Sequence, residues 1–186
     1  MLEGDVDRYG ELVGKYQTTA LRLAFSLLAN YEDAKDISQE AFISAYRSLR
    51  KFRGGAKFST WLYRIVVNRC KDLWRNRRRR PMAGAIFRDT SFEHEDTSLF
   101  IDVEVSAASP SEQLANRELA KRLSAAIGGL SMKQRSAFVL HHVHGFPLDE
   151  IASIMRCSLG TVKTHIFRAT EHLKMDLEPW RKQEGF

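Results

Sequence analysis

The residues best suited to chemistry in this sequence gather between Ser59 and Arg80, and the chemistry they suit is binding. On a helix, at 100° per residue, Trp61, Arg64, Asn68, Lys71 and Arg75 fall within about 80° of one another. One aromatic ring, one amide and three cations thus share a face, roughly opposite the apolar positions Leu62, Ile65, Val66, Cys70 and Leu73. Arg77, Arg78, Arg79 and Arg80 follow at once, and from Arg50 to Arg80 twelve Lys/Arg stand against one acid, Asp72. A charged face is ordinarily just solvated, but this density costs self-repulsion unless a polyanion neutralises it. Aromatic rings among cations suit unstacked bases, which points to single-stranded nucleic acid.

A second constellation lies nearer the C-terminus. Leu148, Ile151, Ala152 and Met155 predict the buried face of a short helix, Cys157-Ser158 a turn, and Ser158 the cap of a second helix. In that second helix Val162, Ile166, Ala169 and Leu173 face inward, leaving Thr161, Lys163, Thr164, Phe167, Arg168 and Glu171 outward or at the edge, the layout of a recognition helix. Ala152 is small enough for the two helices to approach, and Val162 plugs their junction. Lys163, Thr164 and Arg168 offer donors to base edges and phosphates. Phe167 suits a thymine methyl, with core packing as its alternative. Pro147 fits a first turn, although only Phe146, a poor cap, precedes it.

Other chemistries find little support. There is no Gly-rich phosphate loop and no nucleophile motif, so no catalytic residue is expected. His141, His142 and His144, with Cys157 nearby in sequence, lack tetrahedral ligand spacing, so neither metal nor other cofactor is expected. Cys70 and Cys157 sit in apolar helical patterns and read as reduced core thiols. The N-terminus has no secretory signal and no apolar run approaches the ~20 residues that span a bilayer. A soluble, cytoplasmic chain with no membrane insertion of its own is expected.

These residues require positioning by helices in two small domains. The chain has 186 residues, 44% hydrophobic and 28% charged, with a net charge of +6 that is unevenly spread. Asp89 to Glu112 holds seven acids and no Lys or Arg, amid Gly84, Ser91, Thr97, Ser98, Ser106, Ser109, Pro110 and Ser111. We therefore expect an all-α fold with a helical domain over 1–82, a flexible acidic linker over 83–112 and a helix-turn-helix domain over 113–186. In the first domain the pattern Val6, Tyr9, Leu12, Val13, Tyr16, then Ala20, Leu21, Ala24, Phe25, Leu28 predicts two helices. Asn30 caps the next, with Ala34, Ile37, Ala41, Phe42, Ala45, Tyr46 and Leu49 on its buried face, and Ser59 or Thr60 caps the basic helix that runs to Pro81. In the second, Leu114, Leu119, Leu123, Ala126, Ile127 and Leu130 predict a helix ending near Gly128-Gly129. A capping box of Ser131 and Gln134 opens another that stops at Gly145.

Three stretches resemble the extracytoplasmic-function group of bacterial RNA polymerase sigma factors: YEDAKDISQEAFISAYRSLRKF, KFSTWLYRIVVNRCKDLWRNRRRR and GLSMKQRSAFVLHHVHGFPLDEIASIMRCSLGTVKTHIFRATEHLK, together about half the chain. Their order, spacing and intervening tether agree with that family's two-domain plan. Ser131 departs from it, standing where many relatives have proline. The resemblance implies core RNA polymerase and promoter DNA as partners, and an anti-sigma factor as a regulator. It places polymerase docking on Asp33, Asp36, Gln39 and Glu40, which periodicity alone reads as solvated. It implies that the minus-10 element is read as opened strand by Phe52, the loop Gly54, Gly55, Ala56 and Lys57, and Asn68. Trp61, Arg64, Lys71, Arg75 and Arg77 to Arg80 would hold backbone beside them, with core packing equally open for Trp61. It implies that Thr161, Lys163, Thr164, Phe167 and Arg168 read a duplex minus-35 element, with Arg135 and Arg156 as phosphate contacts, and that the linker follows the RNA path. A helix-turn-helix regulator acting without polymerase is the main rival, but it leaves the basic aromatic helix and the Asp36-Gln39-Glu40 helix unexplained. An RNA-binding protein has only Arg77 to Arg80 in its favour.

Overall fold

One unbroken stripe of apolar residues organises the N-terminal end. Tyr9, Leu12, Val13, Tyr16, Ala20, Leu23, Ala24 and Leu27 recur at three- and four-residue steps with no Gly or Pro among Gln17, Thr18 and Thr19. The computed structural model, which describes residues 6–52, 54–79 and 122–183, accordingly has one helix here, α1 (Val6–Leu28), where two were expected. Every regular element among the described residues is helical. The expected linker 83–112 lies outside them, as do Arg80, Pro81, Leu114 and Leu119.

Ala29 takes a left-handed conformation, φ 55°, and turns the chain into α2 (Tyr31–Ser48). The Asn30 side-chain oxygen accepts from the Asp33 amide at 2.9 Å, so the expected cap forms. Ala34, Ile37, Ala41, Phe42 and Ala45 are buried against α1, where the Tyr9 hydroxyl donates to the Phe42 carbonyl at 2.6 Å and burial pushes its pKa up to about 12. Tyr46, expected inside, is 45% exposed, its ring leaning edge-on against Tyr9.

After a short turn (Leu49–Lys51) and Gly54 at φ 71°, α3 runs from Phe58 to Arg79. Its first bond is Trp61 N–H to the Lys57 carbonyl, so Lys57 stands at the start rather than Ser59 or Thr60. Thr60 is instead buried and committed to a distant partner. Leu62, Tyr63, Val66, Val67 and Cys70 pack α3 into the core it shares with α1 and α2, and burial pushes the Cys70 thiol up to about 12.

In the second unit, helical residues 122–129 (α4) lead to Leu130 and then to α5 (Met132–Phe138), opened by the expected capping box of Ser131 and Gln134. α5 widens into a π turn over Val139–Val143 and stops at Gly145, φ 66°. α6 (Leu148–Met155) follows Pro147, then Arg156 at φ 53°, and the Ser158 hydroxyl accepts from the Thr161 amide at 3.2 Å to cap α7 (Leu159–Gln183). Ile151 and Ile154 are fully buried, whereas Leu148, Ala152 and Met155 are only half-buried.

The two units pack against each other. Arg135, buried on α5, donates through Nη1 to the Leu27 carbonyl at 2.8 Å and through Nη2 to the Gly128 carbonyl. It thereby serves one of the carbonyls that α1 leaves unpaired at its C-terminal end. Thr60 donates to the Glu150 carboxylate at 2.6 Å. Tyr63 meets Phe146 edge-on with ring centroids 5.4 Å apart, and Ser26 meets His144 at 3.4 Å.

Candidate nucleic-acid interface

The basic face of α3 is divided by the second unit. Asn68 and Arg75 are exposed, as are Arg78 and Arg79 at its end. Thr60, Arg64 and Lys71, which lie within about 40° of one another on the helix, form the edge turned toward α6. Arg64 donates from Nε at 3.1 Å and Nη2 at 2.7 Å to the single carbonyl of Ser153. Burial, then repulsion from Arg156, lowers its pKa. Lys71 is lowered by burial and by Lys133, with Cys157 and Asp72 opposing. Cations that the sequence assigned to separate DNA surfaces thus converge.

Aromatic residues collect at the N-terminal end of α3. Phe52 and Trp61 lie 5.0 Å apart, Phe58 and Trp61 5.7 Å, and Tyr16 and Phe58 5.7 Å, by ring centroids. Trp61 is therefore partly core, packed against it and half-buried. Gly54, Gly55 and Lys57 lie exposed beside this cluster and Ala56 is half-buried.

Two of the expected contact residues meet each other instead. The Arg77 guanidinium donates bidentately to the Asp33 carboxylate, both bonds 2.6 Å, tying the end of α3 to the first turn of α2. Sequence spacing gives no sign of this pair, which joins positions 44 apart. Arg69, outside the expected contact set, donates to the Ser44 hydroxyl at 2.8 Å and lies 3.7 Å from Glu40. The Arg78 guanidinium lies over the Trp74 ring, 4.7 Å from its centroid.

The outer face of α2 is mixed. Asp36, Gln39, Glu40 and Arg47 are exposed, and among them Ile43 is 51% exposed. An unpaired apolar side chain within a charged rim suits a protein partner better than a nucleic acid. Ile43 was legible only as a gap in the polar pattern of that face.

On α7, Thr161, Lys163, Thr164, Phe167 and Arg168 are all exposed, while Val162, Ala169 and Leu173 are buried. Phe167, 67% exposed, is not a core residue. Arg156 is exposed in the turn. Arg135 is the correction here: buried, with its guanidinium spent on two carbonyls, it has no reach to a phosphate in this arrangement. His165 is lowered by burial and then by Lys133, Arg168 and Lys71, so positive charge dominates the α3–α5–α7 junction.

The histidines part company. His141 donates from Nδ1 to the Phe146 carbonyl at 3.3 Å, His142 packs on Phe138, and His144 turns to Ser26. Among the described residues no group of three or more His, Cys, Asp or Glu is placed to hold a metal ion. Cys70 and Cys157 are free thiols, and no described helix is long and apolar enough to cross a membrane.

Residues 12–80 match the family described as Sigma-70 region 2, and 120–173 the family described as Sigma-70, region 4. The chain is 35% identical to the RNA polymerase sigma-H factor of Pseudomonas aeruginosa over 95% of its length and 89% of that protein's. It is 34% identical to the ECF RNA polymerase sigma-E factor of Escherichia coli, covering 95% and 90% of the two chains. Among solved structures, CnrH in complex with the cytosolic domain of CnrY has a TM-score of 0.66 at 23% identity, over 96% of this chain and 92% of that one, a likeness of fold. The sigma factor RpoE in complex with the anti-sigma factor NepR from Bartonella quintana has a TM-score of 0.62 at 25% identity, over 92% and 97%.

Proposed function

Because the chain belongs to the extracytoplasmic-function RNA polymerase sigma factors, we propose that it directs core RNA polymerase to specific promoters, opening the minus-10 element and reading the minus-35 element as duplex. The observation that carries this reading is the pairing on one chain of an exposed recognition face on α7 with a basic, aromatic-flanked helix α3. A regulator acting without polymerase has use for the first and none for the second.

In this reading Phe52, the loop Gly54 to Lys57 and Asn68 capture an extruded base. Capture offsets part of an unstacking cost of a few kcal/mol, so recognition and strand opening are one event and need no ATP. Trp61 contributes its half-buried ring, and Arg64, Lys71, Arg75 and Arg78 the phosphate contacts. Thr161, Lys163, Thr164, Phe167 and Arg168 address base edges in the major groove, with Arg156 at the backbone. Asp36, Gln39 and Glu40 dock on polymerase around Ile43, with Asp33 holding Arg77. The chain acts by binding, in the cytoplasm where polymerase works, without catalysis. An anti-sigma factor is an expected regulator, by likeness to RpoE with NepR.

Run-off transcription on a genomic library with core enzyme tests the reading. Core polymerase with this chain should select a restricted promoter set and open it, and the chain alone should give no specific duplex shift. Tight, specific duplex binding without polymerase would instead identify a conventional regulator.

A further inference from the structure

Four cationic or protonatable side chains gather where α3, α5 and α7 come together: Lys71 on the first, Lys133 on the second, His165 and Arg168 on the third. We propose that this junction is a binding site for a compact phosphate-bearing anion, of which pyrophosphate is the smallest representative. It goes beyond the promoter reading, because neither the strand nor the duplex role requires Lys133 or His165.

The charges are assembled without a counter-charge. Among the described residues none of the four makes an ion pair. The two acids nearest to them in sequence are already committed, Asp72 accepting from Arg75 and Glu171 from Lys174, each at 2.8 Å. Burial lowers the pKa of Lys71; Cys157 opposes this and Lys133 adds to it. Burial likewise lowers His165, and the charges of Lys133, Arg168 and Lys71 lower it further. The His165 Nδ1 is shut off from solvent and finds no hydrogen-bond partner among the described residues. An enclosed ring nitrogen without a partner is costly, and like charges drawn together add to that cost. An anion at the junction relieves both, neutralising the cations and accepting from the ring once it is protonated.

The placement of the four groups limits what that anion can be. Lys133 and Arg168 are exposed, whereas Lys71 and His165 are half-buried, so the cluster opens to solvent on one side only. A duplex presents its phosphates on a broad convex surface that meets the exposed pair and not the half-buried one. A compact ligand reaches both. One phosphate group, with about two negative charges at neutral pH, leaves part of the positive charge unmet, and two linked phosphates match it. Two lysines suit such a ligand as point charges that impose no planar geometry on it.

Titration of the full chain with pyrophosphate, at low chloride and with the histidine imidazoles labelled for NMR, tests this. The expected result is saturable one-to-one binding by calorimetry, a shift of the His165 resonances, and a rise of its pKa on binding, because a bound anion favours the imidazolium. Lys133→Ala and Lys71→Met should each weaken binding at least about tenfold. Lys35→Ala removes an exposed cation on α2, outside the cluster, and should change binding by less than about twofold. Lys133 is exposed, so its variant reads the site even where thermal melts show that Lys71→Met impairs folding. Non-saturable shifts, or equal weakening by Lys35→Ala, are the mark of general charge screening and overturn the proposal. So does a His165 response to a random-sequence duplex with none to pyrophosphate, which makes the cluster one more DNA contact. Run-off transcription is read without pyrophosphate, so failure here leaves the promoter reading standing, and failure there leaves this site standing.

Discussion

Asn68 and Arg78 lie on one helix, both exposed, yet they differ in what they can distinguish. An amide has a donor and an acceptor in fixed relation and can discriminate one base, whereas a guanidinium resting on Trp74 offers charge to any phosphate. Asn68→Ala should therefore change preference at a single minus-10 base, and Arg78→Ala should weaken holoenzyme binding on every promoter and reduce its salt slope by about one. Matched promoter-variant and salt titrations decide it, and identical behaviour of the two variants would undo the assignment. Arg135 makes the opposite case, a cation that looks like a phosphate contact in sequence and is a buried structural group in the fold. Burial lowers its pKa, and its Nε finds no partner among the described residues, so its two carbonyl bonds carry its whole compensation. Charge-assisted bonds of this kind are worth about 1.5–3 kcal/mol each. Arg135→Met should lower the thermal midpoint by several degrees while leaving the salt slope of DNA binding unchanged, which thermal melts and the same titrations read out.

At the scale of elements, local signals were legible and distant ones were not. Asn30, Ser131 with Gln134, and Ser158 all cap where their types and spacing predict, because a cap depends on two to four neighbouring residues. The recognition face of α7 was readable for the same reason: one period separates Val162, Ala169 and Leu173 from the polar positions. The expected division of α1 into two helices does not occur because Gln17, Thr18 and Thr19 include no helix breaker and one apolar stripe runs through them. The cap assigned to Ser59 or Thr60 failed because a tertiary bond to Glu150 claims Thr60, and no local pattern encodes a partner 90 residues away. Asp33–Arg77 and Arg64–Ser153 were invisible on the same ground, so spacing suggests which side chains could carry chemistry but not which of them meet one another. The Ser131 cap stands where the resemblance leads one to expect proline, and it provides a test at this scale. Ser131→Ala should cost about 1 kcal/mol through loss of the capping box, seen as a lower denaturant midpoint with an unchanged slope. Ser131→Pro removes the amide that donates to Gln134 as well as the hydroxyl, but φ −59° at this position already suits a proline ring and the ring restricts the unfolded chain, so it should cost no more than the alanine variant.

Across the whole molecule the strength of the contact between the two units should depend on solution conditions through His144, which lies in it. The Ser26 hydroxyl already donates to the Arg22 carbonyl at 2.8 Å, so toward His144 it can only accept, and the imidazole carries its proton on Nε2. Ser26 and Arg22 face the ring from α1, Phe146 stacks on it at 6.3 Å, and His141 and His142 precede it on its own turn. Burial, and then the charge of Arg22, hold its pKa at about 4, against an ordinary 6.5. A released imidazole in water regains the ordinary value, so protons favour release. The contribution of neutral His144 to docking is full above pH 6.5 and is lost as pH falls toward 4. At ~1.4 kcal/mol per unit the loss is at most about 3.5 kcal/mol, reduced because the ring is not fully enclosed. His144→Gln keeps a donor for Ser26 and cannot titrate. With fluorophores on α2 and α7, the wild-type chain should separate its units progressively as pH falls from 6.5 toward 4, and the glutamine variant should hold them together further into acid. Superimposable curves for the two chains would assign the acid response to a group other than His144.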